Sequence, residues 1–140
     1  MFGLFKSKAE KEKEAGFEFV KKGRLFLPKI IPFLSEEKYI DFYIFSWGYY
    51  EAMLNKFDID NKTFQDFYLE SMLDYSNQVE VNTNKYILAF EEFNNILKSG
   101  LDNLKDEEEE LMQLGAQLCS YHDASTFSSL ATILKTRFAN

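Results

Sequence analysis

The stretch from residue 38 to residue 57, KYIDFYIFSWGYYEAMLNKF, constrains the fold more than any other part of the chain. At helical spacing its apolar side chains form one continuous stripe, and further apolar residues cover much of the remaining circumference. The stripe consists of Ile40, Tyr43, Trp47, Tyr50, Leu54 and Phe57, and the flanking set consists of Tyr39, Phe42, Ile44, Phe45, Tyr49 and Met53. A helix that is apolar nearly all round must be covered on several sides. We therefore predict a central helix over about residues 36–57.

Two adjacent residues of this helix carry specific expectations. Trp47 is expected to be its most confined side chain, and Gly48 would let a second helix approach closely. A glycine inside a helix costs about 1 kcal/mol relative to alanine, so a packing role would explain it. Tyr43, Trp47 and Tyr50 could also line a small ligand pocket, whereas a crowded core contact would need no ligand.

The first thirty residues predict a helix at their start. Ser7 and Glu10 match a capping box, which would begin a helix near Lys8. This helix would run to residue 22, with Gly23 as its stop. A hairpin over residues 17–27 is the alternative, because two apolar runs flank a possible turn there.

The rest of the chain predicts a connector and further helices. Pro28 and Pro32 indicate an extended apolar connector over residues 27–34, after which Ser35 would cap the central helix. Thr63 would cap the next helix, and a further helix would run from about Lys85 until Gly100 stops it. Asp102 or Asp106 would cap the fifth helix, and Asp123 or Ser125 would start the last one. Residues 76–84 indicate a polar loop, with a short strand at residues 79–81 as the alternative.

Together these segments predict an all-α, single-domain bundle of five to six helices around the central aromatic-rich helix. A chain of 140 residues is long enough to bury a core but not comfortably long enough for two domains. We divide it into a basic, partly mobile N-terminal arm or helix over residues 1–23 and a helical domain over residues 24–140.

The charge of the chain is unevenly distributed. The net charge is −7, but residues 1–30 carry eight Lys/Arg and four Glu, whereas the remaining residues carry eight Lys/Arg and nineteen Asp/Glu. An acidic body disfavours nucleic-acid binding, which depends on neutralising phosphates, and suits a basic protein partner. One cysteine excludes an internal disulfide, and we find no secretory signal or transmembrane stretch, so we expect a cytoplasmic protein.

Candidate metal and catalytic motifs are incomplete. The loop at Asp58 and Asp60 departs from the EF-hand pattern, which fails at three later positions. Cys119, His122 and Asp123 could begin a zinc site, but the sequence offers no fourth Cys or His. We also find no nucleotide-binding, di-iron or nucleophile motif. We therefore predict no catalytic, cofactor-binding or metal-binding residue.

The N-terminal arm combines aromatic and basic residues. Phe2, Leu4, Phe5 and Lys6 precede further lysines up to residue 13, and together they could contact a membrane surface or a partner. A tail without contacts, or an arm that folds back onto the core, is the alternative.

Three functional hypotheses follow from these patterns. The first is a non-catalytic protein-binding module of inhibitor, immunity or adaptor type that presents an acidic surface. The second is a peripheral membrane protein anchored through its N-terminal segment, and the third is an enzyme or ligand carrier with a pocket near Trp47. A homo-oligomer is also compatible, because a second copy could cover part of so aromatic a helix.

Overall fold

The computed structural model describes residues 7–55, 57, 59–120 and 127–139. Within these residues the regular secondary structure is entirely helical. The α-helices are α1 (Lys8–Ile30), α2 (Tyr39–Leu54), α3 (Asn61–Gln78), α4 (Thr83–Ser99), α5 (Asp106–Ser120) and α6 (Phe127–Ala139). Short 3-10 turns at Glu36–Lys38 and Leu101–Asn103 precede α2 and α5. The predicted all-α bundle of five to six helices is confirmed.

Helix α2 lies at the centre of the bundle, as predicted. Helices α1, α3, α4 and α5 all pack against it, with α5 making the most extensive approach. Every residue from Phe42 to Ser46 is buried, as are those from Gly48 to Tyr50. The apolar circumference that singled out this segment therefore corresponds to contact with several neighbours at once.

The close approach of α5 depends on a pair of glycines. A Cβ atom placed on Gly48 would overlap the carbonyl group of Met112, and one placed on Gly115 would overlap the carbonyl oxygen of Phe45. The two helix backbones therefore touch, with α2 and α5 running antiparallel. The expectation that Gly48 admits a second helix is confirmed, whereas its counterpart on α5 was not anticipated.

Helix α1 extends beyond its predicted end. Ser7 caps it as expected, since its Oγ accepts from the N–H of Glu10 at 3.1 Å. Gly23 does not stop the helix, because it is buried against α2, where an added Cβ would lie 3.0 Å from carbons of both Tyr49 and Tyr50. Gly23 therefore makes room for two tyrosine rings and does not end the helix. The helix crosses the predicted boundary at residue 23, and the hairpin alternative is wrong.

Pro28 lies inside the last turn of α1, where we predicted an extended connector. Proline has no N–H, so the carbonyl of Arg24 loses its usual helical donor. Gln78 supplies a replacement, because its Nε2 donates to that carbonyl at 3.3 Å. A side chain from α3 thus compensates for the proline, which the sequence of α1 alone could not indicate. The predicted connector shortens to residues 31–35, which follow Ile30.

The boundaries of α3 and α4 also differ from prediction. Asp60 caps α3 by accepting from the N–H of Thr63 at 3.1 Å, so the helix begins before the predicted Thr63 cap. Helix α3 continues to Gln78, and Asn82 caps α4 by accepting from the N–H of Lys85 at 3.3 Å. The predicted loop over residues 76–84 shrinks to four residues, and the part of the chain described there contains no strand.

Of the remaining predicted helix ends, some are confirmed by the structure and others differ from it. Gly100 ends α4 with a φ of 100°, a conformation that favours glycine. Helix α5 begins at Asp106, but the residue before it is Lys105 and not a predicted aspartate cap. The N–H of Lys105 donates to the carboxylate of Glu108 at 2.9 Å. Ser35 precedes a 3-10 turn and makes no capping hydrogen bond through its side chain, so its predicted role is wrong. Both predicted starts of the last helix, Asp123 and Ser125, lie outside the described residues.

A candidate binding groove beside Trp47

Buried tyrosines connect α2, α3 and α4 through their hydroxyl groups. Tyr43 donates to the carbonyl of Tyr86 at 2.8 Å, and Tyr86 donates to the carbonyl of Met72 at 2.8 Å. Tyr68 donates to the carbonyl of Tyr43 at 2.8 Å and shares a hydrogen bond with the Oγ of Ser46 at 3.1 Å. Each of these three hydroxyls is thus hydrogen-bonded to a main-chain carbonyl inside the bundle. Such pairing avoids the cost of a buried polar group without a partner.

The same burial affects the ionisation of these tyrosines. Removal from water raises the pKa of Tyr43, Tyr68 and Tyr86 well above the ordinary value, because the phenolate form is disfavoured there. Burial likewise raises the pKa of Tyr50, against the opposing effect of a hydrogen bond to Ser71. The two pocket tyrosines predicted from sequence, Tyr43 and Tyr50, therefore serve as neutral interior groups.

Trp47 is less confined than predicted. It is only partly buried, whereas Phe42, Phe45 and Tyr49 on the same helix are 0% exposed. Fully enclosed side chains lie on several sides of α2. Ser46 contacts Tyr68 of α3, and the ring centroid of Phe45 lies 5.3 Å from that of Phe138 of α6. Sequence spacing defined an apolar stripe, but α2 is apolar all round and the stripe did not reveal which side is deepest.

The indole of Trp47 lies at the side of α2 that faces α3 and α4. Its ring packs edge-on against Phe64 at 4.8 Å, Tyr68 at 4.9 Å and Phe93 at 5.8 Å between centroids. Its Nε1–H donates to the exposed carboxylate of Glu51 at 2.9 Å. An indole has one hydrogen-bond donor and a large apolar area. At the border between core and solvent, the donor binds an exposed carboxylate while the rings pack against the aromatic core.

Helices α3 and α4 leave an open groove between them above Trp47. They run antiparallel, since Tyr86 meets Met72 near the connecting loop and Phe93 meets Tyr68 further along. Their backbones nevertheless make few close approaches, and both helices rest on α2 instead. The resulting hollow has a volume of about 520 Å³ and is lined by Trp47, Gln65, Asp66, Tyr68, Leu69, Phe90, Asn94, Leu97 and Lys98. We call this hollow the α3–α4 groove.

The apolar lining continues past the hollow along both helices. Leu73 lies one turn beyond Leu69 on α3 and is 51% exposed, and Ile87 lies one turn before Phe90 on α4 and is 49% exposed. Leu69 itself is 41% exposed. Large aliphatic side chains on both walls thus extend the apolar surface towards the loop that joins α3 and α4.

A second hollow lies on the other side of Trp47. It has a volume of about 270 Å³ and is lined by Trp47, Glu51, Leu54, Asn55, Phe57, Ile59, Asn61 and Phe64. Trp47 is therefore shared by two neighbouring concave surfaces. Tyr43 and Tyr50 line neither of them, so of the three predicted pocket residues only Trp47 borders open space.

The wall residues Leu69, Leu73 and Ile87 were missed by sequence reasoning. At helical spacing, the most evident apolar stripe of α3 runs through Phe64, Phe67, Tyr68, Met72 and Tyr75. Leu69 and Leu73, four residues apart, form a second apolar line beside that stripe. This second line is the sequence feature that could have indicated an additional apolar surface on α3. The other predicted contact residues, Phe2, Leu4, Phe5 and Lys6, lie outside the described residues.

Candidate metal ligands do not come together in the described ranges. Residues 7–55, 57, 59–120 and 127–139 contain no group of three His, Cys, Asp or Glu side chains placed to hold a metal ion. Cys119 is partly buried in α5, and its predicted partners His122 and Asp123 lie outside these ranges. Asp60 of the rejected calcium loop serves as the cap of α3.

Comparisons with known proteins add no relative to this description. No protein-family model matches the chain, no curated protein matches it, and no solved structure matches it. Among the helices of the described residues, none is both long and apolar enough to cross a bilayer. The molecule is thus defined by its own geometry, as an all-α bundle with an aromatic groove.

Proposed function

We propose that the protein is a non-catalytic binding module that holds a partner protein in the α3–α4 groove. The observation that carries this proposal is the open apolar surface above Trp47, whose floor is aromatic. Leu69 is exposed within the hollow, and Leu73 and Ile87 are exposed one turn past it on the same two helices. Adjacent exposed apolar side chains of this size mark interaction sites more often than scattered single ones do.

The chemistry of the groove suits protein recognition. Well-packed aromatic anchors provide most of the affinity in protein interfaces, and a polar rim encloses them. Here Trp47, Tyr68 and Phe90 provide the aromatic floor, and the amides of Gln65 and Asn94 lie among the lining residues. The tyrosine hydroxyls beneath are engaged with main-chain carbonyls, which supports a binding role over a chemical one.

The charge around the groove favours a basic partner. Residues 61–99, which include both wall helices, carry three lysines and six acidic residues, and the whole chain carries a net charge of −7. Complementary charge accelerates association and makes it sensitive to salt. This supports the inhibitor, immunity or adaptor type of binding module that the sequence suggested.

A capture experiment with matched variants tests the proposal. The wild-type protein, the groove variant Leu69→Asp/Leu73→Asp and the control variant Leu88→Asp/Ile133→Asp are immobilised and exposed to extract of the source cells. All four leucine and isoleucine side chains are between 41% and 59% exposed, so each variant should fold, which circular dichroism checks. We expect a protein retained by wild type and control but not by the groove variant.

Two results would count against this proposal. Retention of the same protein by all three forms would place the interface outside the groove. A wild-type protein that retains nothing above background, at low or moderate salt, would remove the support for a partner-binding role.

A second candidate function, association with an anionic lipid surface, is favoured by a different region. Leu25 is 64% exposed and Phe33 is 72% exposed, and exposed Lys22 and Lys29 lie within one turn of Leu25 on α1. Lysines near anionic lipid contribute about 1 kcal/mol each, and exposed apolar side chains can insert between headgroups. Vesicle co-sedimentation should weaken for Leu25→Ser/Phe33→Ser. Equal recovery of variant and wild type would exclude these two side chains as the lipid contact.

A further inference from the structure

We infer that the occupant of the α3–α4 groove is an amphipathic helix with a positively charged outer face. This inference rests on the proposed function and narrows the class of partner. It is carried by three observations about the groove: its shape, the spacing of its apolar side chains and the charges at its rim.

The shape of the groove fits a helix lying along it. Its two walls are antiparallel helices that both rest on α2 and approach each other only sparsely. At 1.5 Å per residue, the lining of the hollow covers about 6 Å on α3, from Gln65 to Leu69, and about 12 Å on α4, from Phe90 to Lys98. With exposed Leu73 and Ile87, each one turn past the hollow, the apolar surface extends to about 12 Å on α3 and about 16 Å on α4. A groove of two to three helical turns between two helices is the setting in which a third helix packs, with ridges entering grooves.

The apolar side chains of the walls repeat at helical spacing. Leu69 and Leu73 are four residues apart on one wall, and Ile87, Phe90 and Leu97 are separated by three and seven residues on the other. Side chains at these separations stand about one or two turns apart along the axis. Apolar residues of a bound helix at positions i, i+3 or i+4, and i+7 would meet them in register.

A bound β-strand would lack the contacts it requires. Strand addition depends on main-chain donors and acceptors at an open sheet edge. Each wall here is an α-helix whose backbone groups are bonded within the helix, and the described residues provide no sheet edge. Side chains must therefore make the contacts, which suits the ridged surface of a helix.

The negative charge around the groove belongs to the wall region as a whole, since residues 61–99 carry three lysines and six acidic residues, whereas the lining of the hollow carries one of each sign. Asp66 lines the groove on α3, and exposed Glu91 lies one turn from Ile87 on α4, where it extends the same wall. Lys98 is the single basic residue among the lining side chains of the hollow. Exposed Lys62 lies one turn before Asp66 on α3, and Glu51, which accepts from the indole of Trp47, lines the second hollow instead of this one. Basic residues flanking the apolar stripe of the bound helix would face Asp66 and Glu91.

Synthetic peptides without aromatic residues provide a direct test, because Trp47 is the only tryptophan and lies at the floor of the groove. The first peptide, about 18 residues or five turns long, places Leu at i, i+3 or i+4 and i+7 with Lys elsewhere. The second has the same composition in scrambled order, and the third replaces every Lys by Glu. Binding is followed by Trp47 fluorescence.

The inference predicts a clear order among these peptides. The Leu/Lys amphipathic peptide should change Trp47 emission saturably, and its affinity should fall as salt rises. Leu69→Asp/Leu73→Asp should weaken this binding at least about tenfold, the size expected for losing hot-spot contacts. Leu88→Asp/Ile133→Asp should leave it unchanged, and the scrambled and Leu/Glu peptides should bind much more weakly.

Three outcomes would overturn the inference. They are the absence of a saturable change with the Leu/Lys peptide, equal binding of its scrambled form, and equal or tighter binding of the Leu/Glu form. The capture experiment separates this failure from failure of the proposed function. If a partner is captured through the groove but the Leu/Lys peptide does not bind, the proposed binding function stands and the proposed basic helical occupant is wrong.

Discussion

Alkaline pH should unfold this protein cooperatively, because five buried tyrosines must be neutral in the folded bundle. Burial raises the pKa of Tyr43, Tyr50, Tyr68, Tyr75 and Tyr86 far above the ordinary value of about 10. A group whose pKa is raised by folding contributes a stability that is complete below its unfolded pKa. That contribution is lost as the pH rises above about 10 towards the folded-state pKa.

The magnitude follows from the number of tyrosines. Each one lowers the free energy of unfolding by about 1.4 kcal/mol for every pH unit above 10, so five together lower it by about 7 kcal/mol per unit. Domains of ordinary stability have about 5–15 kcal/mol to lose. The unfolding midpoint should therefore lie about one to two pH units above 10.

Two signals followed on the same samples test this reasoning. Near-ultraviolet absorbance reports tyrosinate, and far-ultraviolet circular dichroism reports helix. We expect the tyrosinate signal of these five residues to appear together with the loss of helix. Tyr75→Phe should reduce the slope of the free energy of unfolding against pH by about one fifth, because one of the five tyrosines is gone. The same substitution removes the hydrogen bond to the carbonyl of Ile31. Full tyrosinate formation near pH 10 with the helix signal intact would refute the reasoning.

Three further predictions concern stability and are checked by urea unfolding. Gly48→Ala and Gly115→Ala should each cost about 1–3 kcal/mol although alanine favours helix, because the new Cβ meets the backbone of the facing helix; an increase in stability would contradict the close crossing. Trp47→Ala should cost about 2 kcal/mol, below the ~3–5 kcal/mol of an enclosed tryptophan, since its indole is partly exposed. Gln78→Ala should cost about 0.5–1 kcal/mol, the net value of an exposed hydrogen bond that water replaces in part, and an unchanged midpoint would argue against that contact.

The architecture was largely readable from the sequence because it depends on local patterns. The apolar circumference of residues 38–57 identified the central helix, and Ser7 and Gly100 marked helix ends through chemistry confined to a few residues. Such signals need no knowledge of the rest of the chain. They therefore predicted the number and order of helices.

The errors arose where a distant residue decides a local outcome. Gly23 could end a helix or admit a neighbouring ring, and only the position of Tyr49 and Tyr50 shows that it does the latter. Pro28 is tolerated inside α1 because Gln78, fifty residues later, replaces the missing donor. These are tertiary effects that override local preference.

The candidate site was only partly predictable for the same reason. Trp47 was expected to be the most confined side chain of its helix, with a pocket beside it only as an alternative, whereas it is partly buried and borders two hollows. A helix that is apolar all round does not reveal which side its neighbours leave uncovered. The groove depends on how far α3 and α4 stand apart over α2, and neither wall sequence encodes that separation.

Amide hydrogen exchange resolved along the chain is the most direct test of the central claim, that the aromatic helix is enclosed by the others. Amides of α2 between Phe42 and Met53 should be among the slowest to exchange and should open only with global unfolding, whereas those in the first turns of α1 should exchange fastest. Exchange of the α2 amides as rapid as that of the first turns of α1 would contradict the enclosed helix and, with it, the groove that its Trp47 supports.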